Sequence, residues 1–67
     1  MRRQFDQQLA LLNRELIEMG ALCEEVIALA SKALTEGDPD LAARVAPLDT
    51  EIDQKERDIE SLCLKLL

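Results

Sequence analysis

Along the first half of the chain, apolar residues recur at alternating steps of four and three: Phe5, Leu9, Leu12, Leu16, Met19, Cys23, Val26, Ala30 and Ala33. Leu41, Val45, Leu48, Ile52, Ile59, Leu62 and Leu66 repeat the rhythm in the second half, broken only at Lys55. This period gathers side chains on one stripe of an α-helix, whereas a strand would alternate at every second residue. Between the two runs lies Thr35-Glu36-Gly37-Asp38-Pro39-Asp40. Gly37 suits the left-handed position past a helix end, Asp38 is a good N-cap, and Pro39 fits a first helical position. Asp40 places negative charge at the positive end of the helix dipole. The pattern predicts an all-α, antiparallel helical hairpin, with a first helix over about residues 3–34, a turn over 35–38 and a second helix over about 39–66. Pro47 removes a backbone donor and crowds the carbonyl one turn back, so a kink is expected near Arg44–Pro47.

Two helices leave much of this apolar surface without cover. The first half of helix one flanks its seam with Asp6, Gln8, Asn13 and Glu15, but the second half flanks it with Leu22, Ile27, Leu29 and Leu34. Apolar residues on both flanks of a seam require neighbours on both sides, as in a bundle of three or more helices. Chains under roughly 70–80 residues seldom stabilise themselves with one core alone. The expectation is therefore a homo-oligomer: two hairpins pairing into a four-helix bundle through Leu22, Ile27, Leu29 and Leu34, with Leu62 and Leu66 at the end of helix two. Gly20, inside helix one, weakens the helix by about 1 kcal/mol relative to alanine and is read as a point of close helix approach rather than a hinge. Cys23 and Cys63 fall about 18 Å apart along an antiparallel hairpin at 1.5 Å rise per residue, beyond the reach of a disulfide. Free thiols without a secretory signal predict a cytoplasmic location.

Charge narrows the function classes. Fourteen acidic residues against eight basic ones give a net charge of −6, which repels phosphate backbones and argues against nucleic acid and anionic membranes. No apolar run approaches the roughly 18 residues of a membrane span, so no membrane insertion is expected. The chain has no histidine, which removes imidazole acid–base chemistry, and no Gly-rich phosphate loop or zinc-type Cys/His set. An enzyme is not expected. What stands out is a run of carboxylates, Asp49, Asp53, Glu56 and Glu60, spaced four, three and four apart within an arc of roughly 60° at about 100° per residue. Like charges at this spacing disfavour a helix slightly, so the stripe calls for open solvent or a cation. One reading is a solvated face, since Asp53–Arg57 and Glu51–Lys55 are acid-first pairs four residues apart. The other is a metal half-site, because hard divalent cations favour carboxylates and two of them one turn apart reach one ion.

Several stretches together resemble the opening of the PhoU family of phosphate-uptake regulators. They are Met1-Arg2-Arg3-Gln4-Phe5 with Leu9, Leu12, Leu16 and Met19-Gly20; the link Gly37-Asp38-Pro39-Asp40-Leu41-Ala42; and Leu48-Asp49-Thr50-Glu51-Ile52-Asp53, continued by Ile59-Glu60 and Leu62-Cys63-Leu64. The resemblance covers the whole chain and implies the first two helices of a PhoU-like three-helix bundle, with the third helix and a second bundle not included. Family members carry Glu/Asp-x-x-x-Asp motifs that hold multinuclear metal clusters, and Asp49-Thr50-Glu51-Ile52-Asp53 fits that motif. The resemblance thus implies a divalent or multinuclear metal (iron, manganese, magnesium or zinc) at Asp49 and Asp53, with Glu56 and Glu60 flanking, although a chain lacking the third helix is equally consistent with none. It also implies a regulator that damps the phosphate-starvation response through contacts with a phosphate ABC transporter and a sensor histidine kinase. The alternative reading is a generic oligomerising hairpin with a structural role and no metal or signalling function.

Overall fold

The structure, a computed structural model, describes residues 2–67. Helix α1 spans Arg2–Glu36, a short α2 spans Pro39–Ala43, and α3 spans Val45–Leu66. Helices α1 and α3 run antiparallel and pack along most of their length, with α2 as a strut between them. The result is an all-α hairpin shaped as a rod of 53 × 14 × 13 Å. Its radius of gyration of 15.6 Å exceeds the roughly 11 Å of a compact domain of this length.

The turn is specified residue by residue. Gly37 adopts φ +62°, the left-handed conformation that ends α1 without a Cβ clash. The Asp38 amide then donates to the Ala33 carbonyl at 3.2 Å, the six-to-one bond of a Schellman ending. The Asp38 carboxylate accepts from the Asp40 amide at 2.9 Å and the Leu41 amide at 3.4 Å, capping α2. Pro39 occupies the first turn of α2, where its missing donor is not needed.

The break in the second arm falls at Arg44, three residues before Pro47. The cause is Pro47 acting backwards: its ring crowds the Ala43 carbonyl and offers it no donor, so α2 stops at Ala43. The Arg44 amide bonds instead to the Leu41 carbonyl at 3.1 Å, a tighter turn. Pro47 itself sits in the first turn of α3, where amides have no intrahelical partner, and the helix runs straight through it.

The hairpin has almost no interior. Among the described residues only Ala33 and Leu62 are buried. Around them Leu11, Leu12, Met19, Leu22, Cys23, Val26, Leu29 and Ala30 of α1 are half-covered, as are Val45, Leu48, Ile52, Ile59 and Leu66 of α3. The packed face of α1 is therefore rotated from the regular seam. Phe5, Leu9 and Leu16, at seam positions by spacing, stay 47, 47 and 44% exposed, while Leu11, Leu22 and Leu29 turn toward α3. The reason is width: apolar residues cover about half the circumference of α1, and two helices bury only one strip of it.

Candidate functional site

Three features of the surface carry chemistry: an ion cluster across the seam, a bare apolar stripe on α1, and the carboxylates of α3. The ion cluster is centred on Lys55, the one polar residue of the α3 seam. Its ammonium donates to Glu15 Oε2 and Glu18 Oε2, each at 2.5 Å, tying α3 to the middle of α1. The Lys55 and Glu15 side chains are 22% and 15% exposed, and Glu18 lies nearer solvent at 46%. The hydrogen bonds to Glu15 and Glu18 hold the Lys55 ammonium above its usual range. In return the Lys55 hydrogen bond and charge hold the Glu18 carboxyl below its usual range, with Arg14 adding to it from one turn away. A lysine held by two carboxylates tolerates one alignment of the helices, since a slip of one turn leaves a half-buried charge unpaired. This cluster favours the observed slide and rotation of α3 against α1.

That rotation decides what faces outward. Phe5, Leu9, Leu16, Ile27 and Leu34 form an exposed stripe along α1, between 44 and 86% exposed. Near its start the stripe borders an open hollow lined by Leu9, Leu12 and Leu16, with Asp6 and Asn13 at the rim. Stepping forward from the packed face, the stripe lies roughly 80° around α1, and the carboxylates roughly 120° around α3, at about 100° per residue. In an antiparallel pair of right-handed helices, forward steps on both turn toward the same side. The apolar stripe and the carboxylates therefore share one side of the hairpin.

Asp49, Asp53, Glu56 and Glu60 are all exposed on α3. Among the described residues no three Asp, Glu or Cys side chains converge as a metal ion would require. Asp49 and Asp53 stand one turn apart, and among the described residues no third carboxylate or thiol converges with them. Of the positions expected to meet a neighbouring subunit, Ile27 and Leu34 are open, at 67 and 86% exposure. Leu22, Leu29 and Leu66 are half-covered by the hairpin, and Leu62 is committed to its core. Both cysteines are free thiols, Cys23 half-buried and Cys63 exposed. No helix among the described residues is long and apolar enough to cross a membrane.

Comparison with known proteins places this geometry in context. The sequence model of the PhoU domain matches residues 16–67. A phosphate-specific transport system accessory protein PhoU homologue of Pseudomonas putida is 37% identical over 65 residues, covering 97% of this chain and 25% of its own length. The homologue of Pseudomonas aeruginosa is 35% identical over 65 residues, covering 97% of this chain and 27% of its own. That of Rhizobium meliloti is 42% identical over 55 residues, covering 82% and 23%. The chain thus spans about a quarter of the length of the curated relatives it matches. No solved structure matches it.

Proposed function

The chain belongs to the PhoU domain family, and from that membership we propose that it acts in the cytoplasm as part of a phosphate-uptake regulator, working through protein contacts and not catalysis. The carrying observation is the match over residues 16–67 together with relatives named as phosphate-specific transport accessory proteins. The surface supports a contact-making role: a long apolar stripe lies beside a row of carboxylates on one side of a hairpin with a Lys55 ion cluster across its seam. The partners we assign are a phosphate ABC transporter and a sensor histidine kinase, with the outcome that the phosphate-starvation response is damped when phosphate is plentiful.

The test is a phosphate-starvation reporter in bacteria lacking their PhoU gene, complemented with the gene encoding these residues. Repression in high phosphate is expected from the natural sequence and is lost with Ile27→Lys, which leaves the hairpin core untouched. Persistent reporter activity with the natural sequence overturns the regulatory role and leaves a structural hairpin. Asp49 and Asp53 are assigned as two ligands of a divalent or multinuclear cation whose remaining ligands come from outside residues 2–67. Calorimetric titration of the complemented protein with manganese or iron tests this. Binding that survives Asp49→Ala with Asp53→Ala refutes the assignment.

A further inference from the structure

Helix α1 carries two overlapping apolar faces, and α3 covers one of them. The regular seam that runs from Phe5 to Ala33 in steps of four and three is centred roughly 45° around the helix from the packed face, at about 100° per residue. The two faces share Met19, Val26, Ala30 and Ala33 and differ at their edges. Leu11, Leu22 and Leu29 belong to the packed face, whereas Phe5, Leu9 and Leu16 belong to the regular seam. By period alone the regular seam is the better match for α3, whose apolar positions keep the same rhythm. The hairpin nevertheless uses the other face.

Charge separates the two arrangements. Lys55 stands in the α3 seam between Ile52 and Ile59, and its ammonium donates to Glu15 and Glu18 of α1. Those carboxylates lie roughly 20° and 80° from the middle of the packed face, but roughly 60° and 120° from the middle of the regular seam. Packing the regular seam therefore turns Glu18 to solvent and strips a half-buried ammonium of its partners, which is strongly unfavourable.

We propose that the charge of Lys55 selects between these two faces. It holds α1 in the rotation that leaves Phe5, Leu9 and Leu16 outward. Without it, α1 turns by roughly 45°, covering Leu16 and releasing Leu11, Leu22 and Leu29. A single polar residue in an apolar seam chooses among pairings in this way, at a cost in stability. An apolar side chain at position 55 makes the α3 seam continuous from Leu48 to Leu66, the pattern that fits the regular seam of α1. What the selection does for a partner rests on the contact-making role proposed above; the rotation itself does not.

Two thiols read the rotation in opposite senses. Cys23 is half-buried and moves from roughly 60° to roughly 20° from the middle of the covered face, whereas position 11 moves from roughly 60° to roughly 100°. The 67-residue chain with Cys63→Ser is labelled by N-ethylmaleimide, once at Cys23 and once with Cys23→Ser and Leu11→Cys. Two protein concentrations separate the rotation from any association. Adding Lys55→Leu is expected to slow labelling at position 23 about fivefold and to speed it at position 11 by a similar factor, with helicity retained. Lys55→Met, closer to lysine in length, is expected to act in the same way, and Lys55→Arg, which keeps the charge, to leave both rates near their natural values. Rates that do not change overturn the proposal. Rates that rise together also overturn it, because loosening of the hairpin exposes both thiols. A Lys55→Arg variant that behaves as Lys55→Leu overturns it too, since charge is then not what selects. The rates are read on the purified chain, so their outcome is distinct from whether the chain regulates phosphate uptake.

Discussion

Leu62→Ala is the sharpest probe of how this hairpin holds together. Among the described residues Leu62 is the one large side chain that is buried, at 9% exposure. The substitution deletes three carbons at about 0.8 kcal/mol each when covered, so roughly 2.2 kcal/mol is lost by transfer alone. Little is added for a cavity, because the site borders an open groove lined by Leu11, Glu15, Asp58, Ser61 and Lys65 and fills with water. A chain of 67 residues has a total stability of about 3–10 kcal/mol, so this single change removes about a fifth or more of it. Leu64→Ala is the matched control: the same deletion in the same helix, with the same change in helix propensity, at a side chain 67% exposed. It is expected to lose under about 1 kcal/mol. Urea unfolding followed by circular dichroism reads both. With a slope near 1 kcal/mol per M, Leu62→Ala lowers the midpoint by about 2 M and Leu64→Ala by less than 1 M. Measuring at two protein concentrations separates hairpin stability from any gain on association. Equal midpoint shifts for the two variants would falsify the claim that the seam through Leu62 holds α3 in place.

Three further outcomes follow from local geometry. The stability that Glu18 derives from Lys55 is fully present above its ordinary pKa of 4.5 and is lost as pH falls through its depressed folded value. That of Lys55 is present below 10.5 and lost as pH rises through its raised value. Lys55→Met therefore flattens both the acid and the alkaline limbs of the stability–pH curve, and limbs that persist unchanged assign them to other groups. Gly37→Ala, forced to φ +62°, loses about 1–2 kcal/mol, and Asp38→Ala loses about 1 kcal/mol with its cap; thermal unfolding checks both. Pro47→Ala changes stability by less than about 1 kcal/mol, against about 3 kcal/mol for a proline in a helix interior. Amide exchange in that variant shows a newly protected amide at position 47, bonded toward the Ala43 carbonyl.

The hairpin and its turn were legible because they depend on local chemistry. The helical period, the Gly37 ending and the Asp38 cap each act over a few residues, and the folded chain uses all three. The rotation of α1 was not legible, because Phe5, Leu9 and Leu16 fit a heptad as well as Leu11, Leu22 and Leu29 do. Only contact with α3 selects between the two sets. Lys55 looked like an interruption of its stripe and is instead the seam's anchor. A signal was present: an antiparallel turn at Gly37 sets Cys23 opposite the region of Glu51, which brings Lys55 level with Met19 and within reach of Glu18. Pairing Glu51 with Lys55 along one helix obscured that cross-helix partner. The break at Arg44 was readable only in part, since the effect of Pro47 falls on a carbonyl four residues upstream. The carboxylate row was visible from its spacing, whereas whether other ligands converge on it depends on how α3 lies against α1, and among the described residues none does.

The joint at Arg44 has a mechanical consequence. Beyond it α3 is an arm of 22 residues, about 33 Å long at 1.5 Å per residue. A swing of about ten degrees at that joint carries the far tip, near Leu66, through about 6 Å. Lys55 grips the arm near its middle, so it acts as a brake on the swing. With that grip loosened, the buried Leu62 near the tip is what still opposes the sweep.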